Sequence, residues 1–502
     1  MVEGGRHGRR PLVGVGRRGF LGGLGWLATG GARVAHATPR PPATASEAAW
    51  RALAQRISGG VVRPEDAGFD RLIRPSNLRY AAIRPAGIAR CRTTEDVRAA
   101  ILWARDTATV LAARSGGHSY AGYSSTSGLM VDLSLMTAIT VGPDGVATLA
   151  GGVRNGGAAS VLRRQNVSIT HGRCLGVGVA AFLLGGGIGF NMRRHGVGCD
   201  RVTGLEMVAP DGTILTADPR ENADLFWASR GIGGGNLGIH TGFRLQTFEV
   251  GDLCRFDLRW TERIEAVAQA LLTAIPAGPD GMGSKLTLAA TAGRGAAVQP
   301  RIEAFLMGQF EGTPGGLQDL LAPALRAAPP VAQTLVVEPY WTAQDRLSEP
   351  GASGYYQERS RFMTQAEAVS VLPEILRHLA APPPLSLPVE AKFFQTGGAI
   401  NRVAADATAF VHRGSDWLFS LEVQWTAEDG PEAVAAALAW QAALYAAICR
   451  KVAGGAFQNF VDPSLESWGE AYYGANLPRL RQVKRRLDPD FVFRFPQAVP
   501  PA

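Results

Sequence analysis

Metal-binding and redox cysteine patterns are missing from this chain. Its five cysteines (Cys91, Cys174, Cys199, Cys254, Cys449) are scattered and form no C-x-x-C, which excludes a zinc finger or a thioredoxin-like motif. No metal is expected. Charge is sparse, at 19% of 502 residues, and its positive excess is badly placed for nucleic acid. Residues 1–37 hold six arginines, one glutamate and no lysine, so they carry five of the eight net positive charges. The rest is only mildly basic, and a nucleic-acid partner loses its electrostatic support. No internal repeat is visible. Beyond the N-terminus no apolar run approaches the length of a membrane span, so no membrane contact is expected of the mature form. What the chain does have is a 46% apolar content, enough for large cores, and 62 glycines that fall in clusters.

The N-terminus reads as an export signal. Gly16-Arg-Arg-Gly-Phe-Leu21 is a twin-arginine pattern, residues 19–32 are uncharged, and Ala35-His-Ala37 offers an A-x-A cleavage site. Residues 1–37 are thus expected to engage the twin-arginine export machinery, giving a periplasmic or extracellular protein. That route carries folded proteins, often already loaded with a cofactor. Residues 38–75 read as a Pro/Ala/Thr-rich linker and a short helix at Ala48–Ile57.

From there strands and helices alternate to about Phe248, an α+β pattern. A helix begins at Thr93-Thr-Glu-Asp96 and runs to about Asp106, followed by a short apolar strand, Thr109–Ala113. After Leu253 the texture changes to alternating segments at 285–289, 301–308, 389–394 and 417–425. These predict an antiparallel sheet with one wet face. In the last, Trp417, Phe419, Leu421, Val423 and Trp425 share one face, and Leu418, Ser420, Glu422 and Gln424 the other. The polar face is expected to look at solvent or a substrate.

Three glycine blocks carry the chemistry. Arg114-Ser-Gly-Gly-His-Ser-Tyr120 follows the apolar strand, and its adjacent glycines let backbone N–H groups approach a phosphate, with Arg114 alongside. Alone, a tight turn with a solvated histidine is the simpler reading. The second block, Gly172 to Gly189, contains Gly176-Val-Gly-Val-Ala-Ala181, which matches G-x-G-x-x-A. A Rossmann site is rejected, because Gly185-Gly-Gly187 interrupts the helix that should follow, at about 1 kcal/mol per glycine, and no acidic residue closes the unit. The third block is Gly231-Ile-Gly-Gly-Gly-Asn-Leu-Gly238. Three such loops imply a large, phosphate-bearing ligand wrapped by backbone.

His118, followed 56 residues later by Cys174 inside G-x-C-x-x-V-G-V, resembles the berberine bridge enzyme-like family of FAD-linked oxidases, with the vanillyl-alcohol-oxidase fold. The C-terminus agrees through Asn459-Phe-Val-Asp462, Tyr472-Tyr-Gly-Ala-Asn476, Asp488-Pro489 and Arg494-Phe-Pro-Gln497. The resemblance implies an α+β chain with a two-part, PCMH-type FAD-binding domain at 76–248. It places a substrate domain with a helix-covered antiparallel sheet at 249–455, and a segment at 456–502 that returns to the FAD domain. It implies FAD held at two covalent points, His118 to the 8α-methyl and Cys174 to C6. Histidine and cysteine suit this, since neutral imidazole and thiolate are nucleophiles. Cofactor-binding residues would be Arg114, Ser115, Gly116, Gly117, His118 and Ser119. To these it adds Gly172, Cys174, Gly176, Val177, Gly178, Gly187, Gly189 and Asn191, then Asn236, Gly238, Ile239, Tyr473 and Asn476. Val177 would line the oxygen side of the ring as an oxidase-like choice, and Tyr120 would face substrate. The remaining cysteines read as buried residues or possible disulfide partners.

Departures from the family pattern concern the base. Phe457-Gln-Asn-Phe460 stands where many carbohydrate-oxidising members have Y-x-N-Y, and phenylalanine accepts no proton. Ile188 and Phe182 replace polar or aromatic hydroxyl and histidine positions, so an apolar pocket is expected. Glu422 and Gln424 are the candidates on the wet strand, of which only Glu422 can take a proton. The expected function is therefore an exported FAD oxidase using O₂, acting on a small-molecule alcohol or heterocyclic amine, a secondary metabolite. The alternatives are an oligosaccharide oxidase with another base, and a redox-silent flavin-binding protein.

Overall fold

In a computed structural model, the chain is described over residues 45–292 and 300–502. The twin-arginine pattern and its cleavage site lie outside the described residues. The helix expected at 48–57 is Glu47–Arg56, capped by Ser46, whose hydroxyl accepts from the Ala49 amide. The helix at Thr94–Asp106 begins in a capping box made by Thr93 and Asp96. It delivers the chain into the strand Leu111–Arg114, which pairs in parallel with Leu129–Asp132.

That four-stranded sheet is followed by a five-stranded one. There Val146–Ala150, Ile239–Gln246 and Val202–Val208 run antiparallel in the middle. The first glycine block leaves the strand Leu111–Arg114, the second follows the short strand Val167–Ser168, and the third leads into Ile239–Gln246. Gly185 ends the six-residue helix Val179–Leu184, as its glycines require.

The third sheet has seven strands, all antiparallel. Their order is Ala332–Pro339, Asp252–Trp260, Arg301–Phe310, Met282–Thr291, Val389–Gln395, Trp417–Trp425 and Tyr355–Met363. Trp417–Trp425 has the two expected faces, both largely buried: Trp417, Phe419, Leu421 and Val423 join the helix-covered core, while Leu418 packs in a separate cluster and Glu422 and Gln424 line the cavity. The first four pack under the helices Ile264–Ala274, Pro314–Ala327, Gln365–Leu379 and Pro431–Cys449. Burying such side chains supplies about 1.5–3 kcal/mol each. The opposite face of the sheet is left for the site.

One expectation about apolar runs needs correction. Pro431–Cys449 is long and apolar enough to cross a membrane by length and composition. Its Ala437, Leu444 and Ile448 are instead consumed by the sheet core. Within this sheet the strands not anticipated are Asp252–Trp260, Ala332–Pro339 and Tyr355–Met363. The last reads YYQERSRFM, polar on both faces, because one face meets the site and the other is spent on pairs such as Arg359 with Asp462 at 2.7 Å. All five cysteines are free thiols.

Candidate active site

The first and second glycine blocks touch through their backbones. A Cβ on Gly116 would lie 2.3 Å from the Gly178 nitrogen, and one on Gly178 would lie 2.3 Å from Ser115 Oγ. Only glycine allows this approach. Together the two blocks wall a cavity of about 1450 Å³, larger than the usual small-molecule pocket. The third block joins them, with Gly233 and Gly235 at φ of 86° and 76°.

His118 and Cys174 meet at one edge of this cavity. The loop at 348–354 crosses beside them, and a Cβ on Gly351 would lie 3.0 Å from His118 Cε1 and 3.6 Å from Cys174 Cβ. Leu175 and Glu349 bond that loop to the cysteine's segment, the Leu175 amide donating to the Glu349 carbonyl at 2.9 Å. Burial, with Arg154 nearby, pushes the His118 pKa down to about 4, so its imidazole is neutral and nucleophilic. Cys174 is different. Burial, and then Glu349, push its thiol up to about 11, so the cysteine rests as a thiol and not as the thiolate its chemistry requires. Any bond it makes needs a group to take that proton.

Most of the expected cofactor residues do line the cavity: Ser115, Gly116, Gly117, His118, Ser119, Gly172, Cys174, Val177, Gly178, Gly189, Asn236, Gly238, Ile239 and Tyr473. Gly176 lies against His118, where a Cβ would come 2.8 Å from Nε2. Four more of the expected residues do not line the cavity. The Arg114 guanidinium is buried, donating to the carbonyls of Leu72, Ile73 and Ser124 and to Ser125 Oγ. These bonds tie the first glycine block to the helix Phe69–Ile73. Asn191 donates to the Ile169 carbonyl and to Tyr340 Oη. Asn476 donates to the carbonyls of Ala405 and Thr408. Gly187, at φ of 89°, makes room for the Phe182 ring.

The C-terminal segment closes the glycine blocks from behind. Gln458 Nε2 donates to the Gly231 carbonyl, Asn459 Nδ2 to that of Phe182, and Tyr473 Oη to that of Ile232. The Val499 amide donates to Asn236 Oδ1. The third glycine block is thus pinned by the last residues of the chain.

Opposite the glycines lies the wet face of the seven-stranded sheet. The pocket is not apolar overall. Phe457, Phe460, Phe394 and Phe190 form one wall, but the floor carries Lys285, Glu358, Glu390, Lys392, Glu422 and Gln424. Tyr120 stands between the two, its ring 5.1 Å from that of Tyr356 and 5.2 Å from that of Phe460. Burial, with Glu358 beside it, holds the Tyr120 hydroxyl well above its ordinary pKa, so it stays a neutral phenol. Glu422 is brought to the site as expected, but its Oε2 accepts a hydrogen bond from Lys392 Nζ at 2.5 Å. Tyr356, Glu358, Lys285, Lys392 and Glu390 escaped the sequence reading. The first two sit on the unpredicted strand. The others sat on predicted strands whose partners could not be read, and a lysine or glutamate there looks like any solvated side chain. One signal was available: the chain has only four lysines among 51 basic residues, and two of them line this cavity.

The residues present fit FAD. The backbone cradle has no room for a Cβ at Gly116 or Gly178, and the buried Ser115 Oγ lacks a partner although its residue lines the cavity. An unpaired buried hydroxyl beside glycine-lined backbone is a place for an anionic ligand.

Comparison with known proteins agrees. The FAD binding domain model matches residues 85–218, and the model for berberine and berberine-like proteins matches 456–500. An uncharacterised FAD-linked oxidoreductase of Bacillus subtilis is 30% identical over 89% of this chain and 98% of its own length. The xylooligosaccharide oxidase of Thermothelomyces thermophilus is 30% identical over 83% of this chain and 88% of its own. The glucooligosaccharide oxidase of Acremonium strictum, from a structure addressing the functional roles of its 6-S-cysteinyl, 8α-N1-histidyl FAD, superposes with a TM-score of 0.78. It is 25% identical, and the match covers 90% of this chain and 99% of that one. With a glycine cradle, a His118–Cys174 edge and both family segments in order, the chain belongs to the berberine bridge enzyme-like FAD-linked oxidases.

Proposed function

We propose that this oxidase acts on an oligosaccharide hydroxyl, with its FAD tethered through both His118 and Cys174. The observation that carries the substrate reading is the cavity floor. Five charged residues and Gln424 face a wall of Tyr120, Tyr356 and Phe460. Polar floors match sugar hydroxyls, and aromatic walls match the apolar faces of sugar rings. Similarity to oligosaccharide oxidases supports the same choice over the alcohol or heterocyclic amine expected first. The apolar Phe457–Phe460 wall is the one feature favouring that earlier reading.

The bound flavin would take hydride from a substrate carbon and hand its electrons to O₂, giving H₂O₂. This chain's own residues do the rest. The glycine blocks hold the dinucleotide by backbone, and His118 and Cys174 fix the ring edge. Tyr120 stays protonated and donates a hydrogen bond to the sugar. Val177 lines the cavity where O₂ would enter. The floor carboxylates receive the hydroxyl proton. Export by the twin-arginine route, with cofactor loaded first, fits such an enzyme and belongs to the same proposal.

The test is anaerobic mixing of purified protein with cello-, xylo- and chito-oligosaccharides, and with aromatic alcohols and cyclic amines, while flavin absorbance is followed. A saccharide should bleach it, with stoichiometric H₂O₂ on admitting air. Bleaching by amines or alcohols alone would overturn the substrate reading. Bleaching by none would make the protein redox-silent.

A further inference from the structure

Two carboxylates share one lysine on the cavity floor. Glu358, on Tyr355–Met363, lies directly across from Glu422, on Trp417–Trp425, in the antiparallel register. Lys392, from the strand on the other side of Glu422, reaches both. Its Nζ is 2.9 Å from Glu358 Oε1 and 2.5 Å from Glu422 Oε2. Glu358 is 2% exposed and Glu422 8%, and both line the cavity. The lysine does not serve them equally. It donates a well-formed hydrogen bond to Glu422, whereas its contact with Glu358 Oε1 is an ion pair of poorer hydrogen-bond geometry.

Among the described residues Lys392 is the only cation paired with Glu358. Glu390 continues the row of carboxylates on the far side of Glu422. Tyr356 is two residues away on the same strand face, and the Tyr120 ring meets it edge to face. Cys174 faces the group from the glycine side, and Lys285 faces Glu422 from Met282–Thr291. Burial and two like charges on one counter-charge favour holding a proton between the carboxylates. Burial works against ionised Glu422, but Lys392 outweighs it and holds Glu422 below the usual range. Burial pushes Glu358 up, Lys392 opposes it, and Glu422 adds to the rise.

We propose that Glu358 and Glu422, clamped by Lys392, titrate as one proton-sharing pair and together are the proton acceptor of this oxidase. Lys392 is the positioning residue. The inference rests on the oxidase reading and names the base that Phe457 and Phe460 cannot supply. As the substrate O–H breaks, its proton goes to the pair. Its carbon loses hydride to the bound flavin, and a C=O bond forms. O₂ is the final oxidant, and the proton held by the pair is one of the two that leave in H₂O₂. The acceptor must be fully ionised, so flavin reduction should slow as pH falls through the upper apparent pKa of the pair. That value lies above the ordinary glutamate value of about 4.3.

The test uses the holoenzyme and its Glu358→Gln, Glu422→Gln and Glu358→Asp variants. Infrared titration without substrate follows the protonated carboxyl band. In the wild type, one buried carboxyl should titrate above the free-glutamate range. In either Gln variant the remaining carboxylate of the pair no longer shares Lys392 with the other, so that midpoint should fall by about one pH unit or more. Glu358→Asp should keep the raised step. With a saccharide that reduces the flavin, both Gln variants should lower the reduction rate by on the order of a hundredfold, and their acid limbs should move to lower pH. A wild type with no raised carboxyl, or a raised band that survives both single Gln variants, would overturn the proposal. So would an acid limb that neither variant moves. If no saccharide reduces the wild type, the substrate reading fails, while the infrared titration still decides the pair.

Discussion

Lys484→Met should cost about 3–5 kcal/mol of stability, read as a lowered denaturant midpoint, and should expose the tethered flavin to solvent, seen as a rise in its fluorescence, before the rest of the fold melts. Lys484 is completely buried on the helix Leu477–Leu487. Its Nζ donates to Asp488 Oδ2 at 2.6 Å, to the Asn236 carbonyl at 2.5 Å and to the Phe493 carbonyl at 2.8 Å. Asp488 is equally buried. Methionine fills most of the lysine's volume, so the loss comes from an uncompensated buried carboxylate and two orphaned carbonyls. Asn236 belongs to the third glycine block, so the same lysine joins the chain's last helix to the cofactor cradle. Removing the charge as well, in Lys484→Met with Asp488→Asn, should recover part of the stability. No loss in the single variant would mean that the C-terminal segment does not hold the cradle.

The His118→Ala/Cys174→Ala double variant, denatured and precipitated in acid, should leave all of its yellow colour in the supernatant. Wild type should carry the colour into the pellet, and each single variant should keep it through the remaining link. Both side chains adjoin Gly351, close enough to reach one ring edge. The two links should differ in how they form. His118 is neutral and ready. Cys174 must first lose a proton that burial holds on it up to about pH 11. Flavin attachment in His118→Ala should therefore quicken as pH is raised, while attachment in Cys174→Ala should change little above neutrality. Absorbance of the acid pellet after timed incubation of apoprotein with FAD measures both rates.

The cofactor half of the site was legible in the sequence because its logic is local. Glycines that must touch, and a histidine and cysteine at fixed places in them, are short motifs whose residue types state their chemistry. The wet strand Trp417–Trp425 was legible through its period of two. The place of Arg114 was not legible for a physical reason: an arginine beside a glycine turn suits a phosphate, and equally suits four backbone and hydroxyl acceptors, two in its own loop and two on the distant helix Phe69–Ile73. The base was hidden because it is made across strands. Glu358, Lys392 and Glu422 lie on three segments separated by dozens of residues, and only the register brings them to one lysine. Tyr355–Met363 could not announce itself, since both of its faces are polar in sequence and both are paid for by tertiary partners.

The central claim is that this cavity holds FAD at two covalent points. Mass spectrometry of proteolytic peptides from the native, fully denatured protein tests it most directly. The expected result is one flavin-bearing species in which the peptides of His118 and Cys174 travel together, heavier than their sum by a single FAD less the two hydrogens lost in forming each bond. Recovery of both peptides at their unmodified masses, with FAD free in solution, would contradict it.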